Sequence, residues 1–398
     1  MKNGKRKICV VVASRANYAR IKYLMKAVQT HPQLRLQVIV GASALLHKFG
    51  QVCDVMEADG FKPDWRIHYL IEGENLTTQA KSTGMGIIEL STAFQELRPD
   101  VVVTVADRYE TMATAVAASY MNIPLAHIQG GEISGNIDNS VRHAVTKLAH
   151  LHYPATRKSA ERILQMGEES WRIHWTGCPS IDILTHSDLR LPSAEYFRDR
   201  GTGLVFDPAQ PYVLVLQHPV TTSFGHGGAQ INETLAAMKA VPMTKLVLWP
   251  NADAGSDHVA KAMRTFQHTN PKLMFTYHIN FPPEVFAALL ANAKCLIGNS
   301  SSFIREGAFL GTPAVIIGDR QEGREHARNV VFADYDRRDI LEKARIQIEH
   351  GPYESESIFG VGDAGEKIAA HLADARLDIQ KRLTFPPAVE TELVEQLV

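Results

Sequence analysis

Val- and Ile-rich runs recur along this chain, and between them lie longer stretches in which apolar residues return at i, i+3 and i+4. ICVVVA (8–13), LQVIVG (36–41), VVVTVA (101–106) and PLAHIQ (124–129) read as strands, with IHWTG (173–177) closing the first series. ARIKYLMKAVQTH and GMGIIELSTAFQELRP, which separate them, carry the helical spacing. A second series follows in YVLVLQHPV (212–220), KLVLWPN (245–251), KLMFTYH (272–278), KCLIGNS (294–300) and PAVIIG (313–318). Strands that are apolar along their whole length are buried on both faces, and alternation with helices then means a parallel sheet covered on both sides. Residues 186–211, with three prolines and two glycines, are the least periodic part of the middle and mark the linker. The expected fold is α/β, two doubly wound, Rossmann-like domains facing a cleft. They span residues 1–185 and 186–365, with a closing helix (EKIAAHLADARL) and tail over 366–398.

Composition narrows the function classes. A chain of 398 residues exceeds what one core holds comfortably, which agrees with two domains. Lys plus Arg number 42 against 43 for Asp plus Glu, so the net charge of −1 points to no nucleic-acid or membrane-surface partner. Cys9, Cys53, Cys178 and Cys295 are scattered without a CxxC and read as buried structural thiols. The start, MKNGKRKICVVVAS, is basic then apolar, but its run is short and no small-residue cleavage site follows. No run reaches the ~18 apolar residues of a membrane span. The chain is expected to be cytoplasmic.

In open parallel sheets ligands bind beyond the carboxyl ends of strands, so the residues after each apolar run carry the chemistry. Arg15 follows the first strand at a helix N-terminus, a position that favours an anion. Asp107 and Arg108 follow VVVTVA, and HIQGGEISGNIDNSVRH (127–143) follows the next strand. There Gly130-Gly131 permits a sharp turn and a close ligand, with Glu132 and Asp138 beyond. Asp138 or Asn139 is expected to cap the helix SVRHAVTKLAHLHY, which leaves Arg142 and His143 in its first turn, the wrong sign for the helix dipole. In the second half Asn299, Ser300 and Ser301 stand at a helix start, with Glu306 about one turn in, placed to accept from a vicinal diol. His218, Asn251, Asp253 and Arg320 sit at other strand ends. Taken singly, each has a plainer role as cap, loop residue or surface ion pair. Ser, Glu, His, Asn and Arg at the strand ends of one domain look like a nucleotide-diphosphate site.

The motifs SRANYA, ADRYE, HIQGGEISGNIDNSVRHAVTKLAH, TGCPSID, LQHPVTT, PNADAGS, GNSSSFIREGAFLGTP and GDRQEGRE run in order from about residue 6 to 365. In them the chain resembles the UDP-N-acetylglucosamine 2-epimerases, specifically the hydrolysing branch of sialic and legionaminic acid biosynthesis, which releases UDP and N-acetylmannosamine. The GGE…ID pattern is similar to that branch and unlike the HVEAGLRT form of the non-hydrolysing one. The resemblance implies the two-domain fold of B-type glycosyltransferases, UDP held mainly by the C-terminal domain, and a homodimer or homotetramer. It places Arg15, His218, Asn251, Ser300, Ser301, Glu306 and Arg320 around UDP and Arg108 near the diphosphate. Asp107, Glu132 and Asp138 would surround the sugar, with Arg142 and His143 as helpers and Gln129 nearby.

One position departs from the pattern. Many hydrolysing members carry a glutamate where this chain has Gln129, and glutamine neither takes nor gives a proton. Acid–base work then falls to Asp107, Asp138 or Glu132, or the substrate differs. A sister group acts on UDP-2,4-diacetamido-2,4,6-trideoxyglucose, where an amide beside the sugar would fit. The reaction implied removes the C2 proton as UDP leaves C1, giving a 2-acetamidoglucal, then adds water across the double bond. Asp107 and Asp138 lead as its two carboxylates; which is base and which acid stays open. No metal-ligand cluster and no GxGxxG after the first strand call for a metal or a nicotinamide cofactor. A non-hydrolysing epimerase, a glycosyltransferase, and a silent UDP-sugar-binding protein are the competing readings, the last marked by binding without turnover.

Overall fold

The computed structural model describes residues 4–384, so the end of the expected tail, 385–398, lies outside the described residues. Six parallel strands form the first sheet: β1 (Arg6–Val12), β2 (Leu34–Gly41), β3 (Trp65–Ile67), β4 (Val101–Val105), β5 (Leu125–Ile128) and β6 (Leu151–Tyr153). Their order is β3-β2-β1-β4-β5-β6, which reverses direction between β1 and β4. The second sheet holds β7 (Gly201–Gly203), β8 (Tyr212–Leu216), β9 (Thr244–Leu248), β10 (Phe275–His278), β11 (Cys295–Gly298), β12 (Ala314–Ile317) and β13 (Val330–Ala333). Its order is β13-β12-β11-β8-β9-β10-β7, parallel except for β7 against β10, and it reverses between β8 and β11.

Side chains alternate across a strand, and here each face meets its own core. Ile8, Val10 and Val12 of β1 enter one cluster while Cys9 and Val11 enter another on the opposite face. In β8, Tyr212, Leu214 and Leu216 go to one side and Val213 and Val215 to the other. The continuous apolar runs therefore arise from helices covering both faces. All four cysteines are buried and free. The helix Pro179–His186 sends Ile181, Ile183 and Leu184 into a core of the second sheet, and the closing helix Ala364–Asp374 sends Ile368, Ala369 and Leu372 into a core of the first.

Two expectations need correction. IHWTG is no strand; Ile173 makes one isolated bridge to His152, and the sheet ends instead on β6. That strand lay hidden because Leu148 and Leu151 sit three apart and prolong the helical spacing, whereas the helix stops at Leu148. The same helix starts earlier than expected, at Ile137 with Asn136 as its N-cap. Asp138 is thus in the first turn, where the dipole welcomes it. Arg142 and His143 fall in the second turn, so the expected conflict of sign does not exist.

Candidate active site

The carboxyl ends of both sheets meet across a cleft closed around a cavity of ≈ 130 Å³. Of the residues expected there, Arg15, Asp107, Arg108, Asp138, His218, Asn251, Ser300, Ser301, Glu306 and Arg320 line it. Glu132, Arg142, His143 and Gln129 lie behind the wall.

On the first domain's side, Ser14 caps the helix Arg15–Thr30 through its side chain, and Arg15 starts that helix. The Arg15 guanidinium crosses the cleft to the Asn251 side chain (2.7 Å) and to the carbonyls of Trp249 (2.7 Å) and Ile279 (2.5 Å). At the end of β4, Ala106 adopts a left-handed backbone (φ +66°), a conformation that costs energy without glycine. The buried His127 ring, held down to about 3 by burial and so neutral, donates from Nε2 to the Ala106 carbonyl at 2.7 Å. This braced turn presents Asp107, which is ion-paired with Arg142. Arg142 also donates to the Glu132 carbonyl at 2.8 Å, so the helix second turn ties the loop to the strand end. Arg108 pairs with Glu110 (3.1 Å) and, across the cleft, with Asp253 (2.6 Å).

The glycine pair serves packing, not ligand approach. A Cβ on Gly131 would meet the Ser159 carbonyl at 2.2 Å, and one on Gly130 would press on His127 and Thr146 at 3.0 Å. The bare backbone is needed further along, at Gly135, where a Cβ would lie 1.9 Å from the Asp319 carbonyl of the second domain. Gly135 N–H donates to the Arg320 carbonyl at 3.1 Å, closing the cleft there.

Glu132 points away from the cavity into a clamp of two second-domain guanidiniums, Arg305 (3.0 Å) and Arg324 (2.9 Å). Burial works to raise its carboxyl, but these cations outweigh it and hold the group below the usual carboxylate range. At Asp138 the balance is reversed. Burial pushes the carboxyl up, and Arg320, 3.9 Å away, only partly offsets it. Asn136 adds one hydrogen bond at 2.8 Å.

On the second domain's side, burial and the charges of Arg320, Arg15 and Arg108 keep the His218 ring far below its ordinary value and therefore neutral. Its Nδ1 accepts from the Asn251 N–H at 3.2 Å, which puts the ring proton on Nε2 as a donor. Asn299 accepts the His218 N–H at 2.7 Å and returns a bond to its carbonyl at 2.9 Å. Ser300 and Ser301 stand at the start of the helix Ser302–Leu310, and Glu306 lies one turn in, with burial raising its carboxyl and Oε2 lacking a hydrogen-bond partner among the described residues.

Gln129 does not stand beside the cavity as expected. Its backbone is left-handed (φ +63°), which turns the side chain inward, and its amide donates to Cys178 Sγ at 2.7 Å. His143 is half-buried behind Arg142, which with burial lowers its ring below the ordinary value. Sequence reasoning missed Arg20, Arg305 and Arg324. Arg305 had a legible signal, since it lies one helical turn from Ser301 and bonds its hydroxyl at 2.7 Å. Arg324 sits in a loop, where no periodicity marks an inward side chain. Among the described residues no group of His, Cys, Asp and Glu is arranged to hold a metal ion.

Two parallel-sheet domains closed over arginines, serines at a helix start and paired carboxylates define an α/β enzyme of the B-type glycosyltransferase fold. The chain matches the family model described as UDP-N-acetylglucosamine 2-epimerase over residues 26–373, and it belongs to that family. It is 30% identical over 358 residues to the UDP-N-acetylglucosamine 2-epimerase of Neisseria meningitidis, covering 90% of this chain and 92% of that one. It is also 30% identical over 362 residues to the UDP-N,N'-diacetylbacillosamine 2-epimerase (hydrolyzing) of Legionella pneumophila, covering 91% and 94%. In fold it is similar to the crystal structure of Methanocaldococcus jannaschii UDP-GlcNAc 2-epimerase with UDP-GlcNAc and UDP, at a TM-score of 0.77 and 15% identity, covering 93% and 100%. No described helix is long and apolar enough to cross a membrane.

Proposed function

We propose that the protein is a hydrolysing UDP-N-acetylglucosamine 2-epimerase, releasing UDP and N-acetylmannosamine. The observation that carries this reading is the unequal pair of cavity carboxylates, Asp107 ion-paired with Arg142 and Asp138 raised by burial. Two such groups suit a reaction in which one carboxylate accepts a proton and the other supplies one. Asp107 takes the C2 proton as the C1–O bond to UDP breaks, and the electron pair forms the C1–C2 double bond of 2-acetamidoglucal. His218 Nε2–H, Arg320 and the start of the helix Ser302–Leu310 receive the charge growing on the diphosphate. Asp138 then returns a proton to C2 from the other face, which sets the manno configuration, while water adds its hydroxyl to C1 and gives its remaining proton to the emptied Asp138 carboxylate. The proton held by Asp107 passes to solvent. The GGE…ID motif, similar to the hydrolysing branch, supports release of the free sugar. Because Gln129 is turned to Cys178, the amide that suggested a diacetamido sugar supplies no contact with the cavity.

Proton and phosphorus NMR with UDP-N-acetylglucosamine in heavy water tests the reading. Free UDP and N-acetylmannosamine deuterated at C2 are expected. UDP-N-acetylmannosamine as product would make the protein a non-hydrolysing epimerase. Turnover only of UDP-2,4-diacetamido-2,4,6-trideoxyglucose would move it to the sister group, and UDP binding without turnover of either sugar would leave a silent binder.

A further inference from the structure

Four guanidiniums line the cavity, and three of them are committed. Arg15 is used by Asn251 and two carbonyls, Arg108 by Glu110 and Asp253, and Arg320 by Asp138 and the Asn299 carbonyl. Arg20 differs. It makes a single hydrogen bond, to Ser301 Oγ at 3.2 Å, and among the described residues it has no carboxylate within ion-pair distance.

Its one partner is informative. Ser301 Oγ also accepts from Arg305 at 2.7 Å. A hydroxyl has two acceptor lone pairs and one O–H. With both lone pairs engaged by guanidiniums, the Ser301 proton is left to donate, on a wall of the cavity and at the start of a helix whose N–H groups favour an anion. Of the two carboxylates that act on this corner, Glu306 is raised by burial, which disfavours its charge, and Glu132 is spent on Arg305 and Arg324. Burial and the like charge of Arg305 lower the Arg20 guanidinium to about 9, the sign of a cation short of a counter-charge. An anion placed between Arg20 and the Ser301 hydroxyl relieves all of this at once.

We propose that Arg20 is a further binding residue for the diphosphate of the nucleotide sugar, acting with the Ser301 hydroxyl on oxygens of the leaving group. This rests on the epimerase reading above. Because charge on the diphosphate grows as the C1–O bond breaks, Arg20 would aid departure as well as binding. A merely structural Arg20 would instead hold the helix start through Ser301 and be indifferent to phosphate.

The test uses the full chain, wild type against Arg20→Met and Arg20→Lys, with UDP titrated by calorimetry and uridine by ligand-observed NMR. Arg20→Met is expected to weaken UDP binding by about tenfold or more, the worth of a charge-assisted hydrogen bond, and to leave uridine unchanged. Arg20→Lys should recover part of the loss, since a point charge replaces the fork. UDP affinity within about twofold of wild type in Arg20→Met, or equal loss for UDP and uridine, would overturn the proposal while the epimerase reading stands. A folded wild type that does not bind UDP would instead bring down the parent reading.

Discussion

Glu132 and Asp138 belong to one loop and differ by six positions, yet the cleft treats them oppositely. Glu132 is only 4% exposed and holds two second-domain arginines, so its charge survives burial. Asp138 faces the cavity with one cation at 3.9 Å, so burial wins and its proton is held more tightly. The number of close cations, more than depth, decides which carboxylate stays a charge and which becomes an acid. Glu132 accordingly joins the two domains, and Asp138 is left facing the cavity, where the proposed reaction would use it.

Glu132→Gln gives the largest expected effect. Two buried guanidiniums lose their only shared carboxylate oxygen, and breaking a buried pair from one side costs about 3–5 kcal/mol. Urea denaturation should report that loss. Because Arg305 and Arg324 come from the second domain, KM for the nucleotide sugar should rise as closure weakens. A stability change under 1 kcal/mol would mean that the clamp is not formed as described.

Asp138→Asn should do the reverse. Loss of a proton donor in the transition state lowers kcat by about 10²–10⁴-fold, while the fold is spared. Stability at neutral pH should even rise, because the wild-type carboxyl is one that burial disfavours when charged. Stopped assays and thermal melts on the same preparation decide this. A variant that loses stability but keeps kcat would exchange the roles of the two carboxylates.

The pH dependence separates them further. A carboxyl depressed in the folded state contributes stability that is present above its ordinary value of 4.5 and is lost as pH falls through the depressed one, which is the case of Glu132. Asp138, raised from 3.8, costs stability as pH climbs from that value through the raised one, and kcat should fall over the upper part of the same climb as the acid loses its proton. Glu132→Gln should flatten the acid-side loss of stability, and Asp138→Asn the alkaline-side fall in kcat.

Much of this arrangement was legible beforehand. The long apolar strands announced both sheets because burial on two faces removes the polar positions that would break a run. The four strands that escaped, β3, β6, β7 and β13, are all sheet edges of three or four residues, whereas β5, β10, β11 and β12, no longer than β13 but flanked by strands on both sides, are buried throughout and lie within the apolar runs. The strand-end residues could be placed at the cleft by position alone, since the topology forces them there. What could not be read was direction. Glu132 and Asp138 look alike in sequence, and only the arrival of Arg305 and Arg324 from the other domain distinguishes them. Gln129 was misplaced for the same reason, as a left-handed backbone angle decides where its amide goes.

Gln129 also supplies the smallest test. It precedes Glu132 by three positions on the same loop, but it is neutral and turned from the cavity. Its amide nitrogen gains one bond to a thiol, while its Oε1 is buried with no partner among the described residues. Replacing an amide that is half satisfied by an apolar side chain of similar length removes a modest gain and a desolvation cost together. Gln129→Met should therefore change stability by less than about 1 kcal/mol and kcat by no more than about threefold. A hundredfold fall in kcat with an unchanged melt would put the amide on the sugar during turnover. The division of this loop into a closure carboxylate and a chemical one would then need a third, moving member.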